Sequence, residues 1–116
     1  GVRALQAESG MWRQVLDKEE AYEETSCTAM YSLSFLTGIR LGLLPEEGYR
    51  QAAEKGIAAL LRYSVDRQGN VLGVCRGSSC SMDYHYYLKL GTAFNDDHGT
   101  GIILWALSEL LKTENT

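Results

Sequence analysis

Positive charge is in short supply in this chain. Its 116 residues carry 11 Lys and Arg against 15 Asp and Glu, a net charge of −4. No basic stripe runs along any expected helix, so nucleic-acid binding finds no support. Long apolar runs are also missing. The two uncharged stretches, 25–39 and 99–108, fall short of the roughly 18 apolar residues of a membrane span and carry Ser, Thr and Gly; no membrane partner is expected. Residues 1–10 show no positively charged stretch leading into an apolar core, so no signal peptide is read there, whatever a longer parent carries. Cysteine is scarce and odd in number, which argues against a complete disulfide framework. Cys27 lies within an uncharged helix and reads as a small core residue. Cys75 and Cys80 flank a loop; a bridge between them would need an oxidising compartment and is not the favoured reading. Together with His85 and His98 they match no standard zinc spacing, and no metal is expected. A Gly-rich phosphate loop, a nucleophile elbow and a Ser–His–Asp order are all absent.

What the chain does have is helix of two kinds. Thr25–Ile39 (TSCTAMYSLSFLTGI) and Gly99–Ser108 (GTGIILWALS) contain no charge at all. Between them Tyr49, Ala53, Ile57, Leu60 and Leu61 mark one apolar face, with Glu46, Glu47, Arg50, Glu54 and Lys55 around it. A helix with one apolar stripe lies on a surface, and one apolar nearly all round is buried. Two shielded helices need more cover than one surface helix provides, so the chain reads as part of something larger. The expected helices are Thr25–Arg40, stopped by Gly42, then 46–63 with Pro45 at its first turn, and 99–112, with 113–116 frayed. The short link between the first two favours an antiparallel αα-hairpin. Val2–Gln6 reads as a helix end, Met11–Leu16 as a short extended segment, and 18–22 as a charged, exposed loop. Residues 64–74 read as a β-hairpin around Gln68-Gly69-Asn70, and 75–97 as loop with one helical turn at 83–88. The loops around Gly10 and Gly69 rhyme, each leading through a short extended segment to a shielded helix, as in stacked helix-pair repeats.

The residues able to carry chemistry stand before the two shielded helices. Asn95-Asp96-Asp97-His98-Gly99 sets carboxylates beside a histidine, suited to acid–base work or to binding a cation. The alternative is capping, because Asp or Asn before a helix satisfies its free N–H groups. Glu24-Thr25-Ser26 stands before the first helix with the same two readings. Trp12 and Gln14 share one side of an extended segment, where Trp offers a stacking face for a sugar and Gln a hydroxyl contact; a core Trp and a surface Gln are the alternative. Tyr84, His85, Tyr86 and Tyr87 line a pocket or, the favoured reading, pack a long loop onto the body.

Five motifs in order then resemble a known family. They are Gly10-Met11-Trp12-Arg13-Gln14-Val15-Leu16-Asp17, Glu24-Thr25-Ser26-Cys27-Thr28-Ala29-Met30, Val71-Leu72-Gly73-Val74-Cys75-Arg76-Gly77, Tyr86-Tyr87-Leu88 and Asn95-Asp96-Asp97-His98-Gly99-Thr100-Gly101. The series resembles the C-terminal part of glycoside hydrolase family 105, the unsaturated rhamnogalacturonyl hydrolases, with the family 88 unsaturated glucuronyl hydrolases as near relatives. The resemblance implies an all-α fold, about the last third of an (α/α)6 barrel, with a short β-hairpin near 64–74. Six helix pairs of about 45 residues need roughly 270 residues, so residues 1–116 are expected to be one part of a single catalytic domain whose N-terminal part lies elsewhere.

The implied substrate is a pectin oligosaccharide ending in 4,5-unsaturated galacturonic acid, usually linked to rhamnose. The implied reaction is hydration of the C4=C5 bond by an Asp, without cofactor or metal. That Asp belongs to the family's N-terminal half, and Asp17, Asp83, Asp96 and Asp97 do not match its motif. The resemblance leaves substrate-binding wall in this segment: His98 first, then Gln14, Trp12, Glu24, Ser26 and Met30. The segment alone is expected to be inactive, and a cytoplasmic setting is what the resemblance favours. Two departures bear on sugar selectivity: Arg76 with Ser78-Ser79-Cys80 replaces a Gly-rich loop, and Leu90-Gly91-Thr92 replaces an Arg-Pro run. The competing readings are a non-catalytic helical interaction domain and another enzyme on the same toroid, such as a sugar epimerase or lyase.

Overall fold

The computed structural model describes residues 1–114. A 3₁₀ turn, Val2–Leu5, leads to strand β1 (Trp12–Arg13), which pairs antiparallel with β2 (Glu23–Glu24). Helix α1 (Thr25–Arg40) follows directly, then α2 (Tyr49–Ala59), β3 (Val74–Cys75), the single turn α3 (His85–Leu88), β4 (Thr92–Ala93) and α4 (Asp97–Glu114). β3 and β4 form a second antiparallel pair, in the register Val74–Ala93 and Cys75–Thr92.

α1 has the bounds expected from its uncharged run, and its ends show why. The Glu24 carboxylate accepts from the Ser26 and Cys27 N–H groups. At the other end Gly42 takes φ +73°, and the Leu43 and Gly42 N–H groups return to the Gly38 and Ile39 carbonyls, a Schellman stop. The polar residues inside α1 are spent on backbone: the Thr28 hydroxyl donates to the Glu24 carbonyl and the Ser32 hydroxyl to the Thr28 carbonyl, both at 2.8 Å. That is how an uncharged helix with several hydroxyls stays buried.

α1 is the central element. Leu36, Phe35, Ala53, Ile57 and Ala106 form one core with Trp12, and Ala29, Ala59, Val74 and Ile103 belong to a second. α2 approaches α1 closely at Gly56, where a Cβ would stand 2.3 Å from the Ser32 Oγ and 3.1 Å from the Trp12 ring. The αα-hairpin expected of α1 and α2 is present, but α2 begins at Tyr49. Gly48 holds φ +79°, which no helix interior uses, so residues 46–48 form a turn and Pro45 sits in the link ahead of it. After Ala59 the chain widens into a π turn, Leu60–Ser64, closed by Val65 N–H on the Leu60 carbonyl. The expected hairpin over 64–74 is present as one antiparallel bridge, Val65 to Val71, because Val74 pairs onward with β4. α4 starts two residues earlier than expected and includes Thr113 and Glu114; Asn115 and Thr116 lie outside the described residues.

α4 is shielded on one side only. Leu104, Trp105 and Leu111 are about three-fifths exposed. Trp105 lines an apolar groove of about 340 Å³ with Leu33, Ser34, Thr37, Leu41 and Leu43. No helix of the described residues is long and apolar enough to cross a membrane.

One ion pair ties the far ends of α1 and α4. Arg40 Nε donates to the buried Glu109 carboxylate at 2.5 Å, and Lys112 stands 3.8 Å from its other oxygen. Removing one partner from a buried pair leaves an uncompensated charge. Arg40→Ala is expected to cost about 2 kcal/mol, softened by Lys112. Glu109→Ala costs less, because the partly exposed Arg40 reaches water. Denaturant titration of both variants checks the asymmetry.

Candidate functional site at the helix mouths

The N-terminal ends of α1 and α4 are brought together by the two small β pairs. Glu24, the last residue of β2, is 2% exposed. Besides the two α1 N–H groups its carboxylate accepts the Ser26 hydroxyl at 2.8 Å and the Cys75 N–H at 2.9 Å. One side chain thus caps α1 and ties it to β3. β3 in turn meets α4: Val74 lies so close to Gly99 that a Cβ there would stand 2.3 Å from a Val74 methyl. Gly99→Ala is therefore expected to destabilise by about 2 kcal/mol through overpacking, which a thermal melt of the variant measures.

The Asn-Asp-Asp-His-Gly stretch is built residue by residue. Asn95 holds φ +55°, a conformation Asn tolerates better than most. Its N–H donates to the Val71 carbonyl, its Oδ1 accepts the Val71 N–H at 2.7 Å, and its Nδ2 donates to Asn70 Oδ1. The turn so fixed sets Asp96 before α4, where Oδ1 accepts the His98 N–H at 3.1 Å and also pairs with His98 Nδ1. The capping reading of Asp96 is therefore met. It also has a consequence for the ring: with Nδ1 engaged, Nε2 is left for a partner from outside. The His98 side chain is half exposed.

The other candidates divide. Gln14 is half buried, its N–H donates to the Tyr22 carbonyl, and its amide side chain meets no hydrogen-bond partner among the described residues. Met30 is 43% exposed, one turn along α1 from Ser26. Trp12 is fully buried. Its ring packs edge-on against Tyr31 and Phe35, and its Nε1 donates to the Val2 carbonyl at 2.8 Å. The side chain expected to offer a sugar-stacking face is a core residue, because its faces are filled from α1. Glu24 and Ser26 sit at the mouth, but their polar atoms are spent on each other and on backbone, so capping describes them within this chain.

The loop 18–22, expected to be exposed from its charge, is not exposed throughout: Ala21 is 5% exposed and Tyr22 is half buried. The Tyr22 hydroxyl is buried with no hydrogen-bond partner among the described residues. Burial, and then the neighbouring Cys75 and Glu24, push its pKa well up, so it stays protonated as a donor. The Cys27 thiol is likewise pushed up by burial and by Glu24, as suits an inert packing residue. The Tyr84–Tyr87 cluster packs a loop, as favoured. The Tyr86 and Tyr87 hydroxyls accept the Ser79 and Ser81 N–H groups, and Tyr84 reaches Glu20 at 3.0 Å. Among the described residues no three His, Cys, Asp or Glu side chains are grouped to hold a metal.

The sequence model of Glycosyl Hydrolase Family 88 matches residues 1–114. The "24.9 kDa protein in picA locus" of Rhizobium radiobacter is 34% identical over 96% of this chain and 55% of its own length. The unsaturated rhamnogalacturonyl hydrolase YesR of Bacillus subtilis (strain 168) is 28% identical over 95% of this chain and 30% of its own. The crystal structure of a possible member of the GH105 family from Salmonella enterica serovar Paratyphi A superposes with a TM-score of 0.90 at 26% identity, over 97% of this chain and 29% of that one. The chain thus spans about half the length of the first relative and under a third of the other two.

Proposed function

The chain belongs to Glycosyl Hydrolase Family 88, and from that premise we propose that it is the C-terminal part of an (α/α)6-barrel hydrolase acting on unsaturated uronides. The specific reading is removal of 4,5-unsaturated galacturonic acid from rhamnogalacturonan oligosaccharides. The observation that carries it is the Asp96–His98 pair mounted at the shared mouth of α1 and α4. An imidazole fixed at Nδ1 and open at Nε2 suits a sugar hydroxyl or a uronate carboxylate.

In this reaction a carboxylic acid protonates C4 of the enol ether and water adds at C5. The hemiketal so formed opens, and the neighbouring sugar leaves from C1. A carboxyl held protonated by burial suits the first step and, once ionised, activates the water. That carboxyl is expected in the barrel's other part; none of Asp17, Asp83, Asp96 and Asp97 is assigned the role. His98 binds and orients the unsaturated ring, Gln14 and Met30 line the pocket wall, and Glu24 and Ser26 hold α1 in place beneath them. No cofactor enters this mechanism.

The apolar groove beside Trp105 favours a second reading, a helical interaction domain without catalysis. One assay separates the two. The intact protein is incubated with unsaturated galacturonyl-rhamnose, and separately with unsaturated glucuronyl disaccharides, while the ultraviolet absorbance of the C4=C5 bond is followed. Loss of absorbance with release of the neighbouring sugar is expected, faster on the first substrate. Unchanged absorbance on all of them would leave the interaction domain.

A further inference from the structure

Along α2, away from the mouth, lies a hollow that nothing above uses. It holds about 340 Å³ between the 3₁₀ turn and the helix, and is lined by Arg3, Gln6, Gly48, Gln51, Ala52 and Lys55. That volume falls within the range of small-ligand sites, about 300 to 1,000 Å³. α2 runs back along α1, so Gly48, just before its first residue, stands at the end opposite the mouth. No carboxylate lines the hollow, and neither Arg3 nor Lys55 makes an ion pair among the described residues. Glu47 lines an adjoining hollow that shares Arg3 and Gly48, and it too makes no ion pair with Arg3.

The lining is fixed in advance. The Arg3 guanidinium lies over the Tyr49 ring, 4.6 Å from its centroid, and Gly48 leaves it room, since a Cβ there would run into Nη1. Gln6 Nε2 donates to the Gly10 and Ala52 carbonyls, each at 2.9 Å, which leaves Oε1 as an acceptor. Gln51 and Lys55 stand one turn apart on α2, both exposed, with the buried Ala52 as floor. The Tyr49 ring is covered by Arg3 and met edge-on by Phe35, so the hollow offers no aromatic face and suits a polar guest. Two cations and two amides around one concavity match an anionic group flanked by hydroxyls, and the planar fork of an arginine matches a carboxylate. We propose that this hollow is a second sugar site, which binds a uronate through its carboxylate at Arg3 and Lys55 and its hydroxyls at Gln6 and Gln51. It goes beyond the hydrolase reading, because it holds whatever reaction the mouth performs.

The test is an NMR titration of the isotope-labelled intact protein with sodium galacturonate and, separately, with galactose. Galacturonate should shift the Arg3 Nε–H and the Gln51 side-chain amide signals, and galactose should not. Arg3→Gln and Lys55→Gln, followed at Gln51, should each weaken that binding about tenfold, the loss of one contact to a charged group. Lys55→Gln is the decisive variant, because Lys55 is exposed and its ammonium has no partner to lose, whereas Arg3→Gln also gives up the Tyr49 contact. His98→Ala should leave the shifts in place. Loss of the shifts in His98→Ala, with Lys55→Gln behaving as wild type, would return the uronate to the mouth and overturn the second site. So would an absence of shifts with galacturonate, equal shifts with galactose, or undiminished binding in Lys55→Gln. Galactose 6-sulfate reports on the anion: weaker binding than galacturonate supports a carboxylate site, and tighter binding overturns that assignment. The readout needs no turnover, so a failure of the hydrolase reading leaves it standing.

Discussion

Replacing His98 with alanine in the intact protein is expected to lower turnover by about a hundredfold, through loss of substrate positioning. The melting temperature should hardly move. The ring is half exposed, and among the described residues its polar partner is Asp96. The bond that matters to the fold, from the His98 N–H to the Asp96 carboxylate, uses backbone and survives the substitution. Surface substitutions of this kind usually stay within about 0.5 kcal/mol. Asp96→Ala should behave differently. It removes both the helix cap and the Nδ1 partner, so stability falls by about 1 kcal/mol alongside the rate. Steady-state kinetics and thermal melts on the two variants test the pair of expectations. Equal losses of rate and stability in His98→Ala would reduce His98 to a scaffold residue.

The contrast between these two positions shows how far the sequence could be read. Capping and ligand-binding compete for the same residue types before a helix, and spacing cannot separate them. Geometry does: Glu24 spends both oxygens on N–H and hydroxyl donors, whereas His98 keeps one nitrogen without a partner among the described residues. α1 was legible because both its ends are chemical signals, an acid before the run and a glycine after it. The start of α2 was not, because the positive φ of Gly48 breaks a stretch whose apolar stripe alone suggests continuity. Trp12 shows a different limit. Alternation says which side of the strand it occupies, but Tyr31, Phe35 and the Val2 carbonyl that fill that side come from other segments. Tyr22 shows a further limit. A tyrosine ending a charged loop reads as surface, and only the packing around Cys75 and Glu24 puts its hydroxyl out of reach of water.

Expressed alone, the chain is expected to self-associate, and the reason lies on α4. Its uncharged run implies cover all round, yet Leu104, Trp105 and Leu111 stay open, and Trp105 shares an apolar groove with Leu41 and Leu43. A contiguous apolar patch of this kind marks an interface. The solved relative it superposes on has more than twice as much additional chain, which is where the expected cover comes from. The isolated segment should therefore elute well above its 12.9 kDa mass and bind a hydrophobic dye. Trp105→Glu gives the sharper test, because its two effects have opposite signs. In the isolated segment it should shift the population towards monomer and reduce dye binding. In the intact protein, where the same indole is expected to be covered by neighbouring helices, it should destabilise by about 3 kcal/mol or more, since a large apolar contact is lost and a charge is buried without a partner. A wild-type segment that stays monomeric, binds no dye and unfolds cooperatively would show that the face needs no cover. A Trp105→Glu change harmless to the intact protein would place that face on the outside of the assembled barrel.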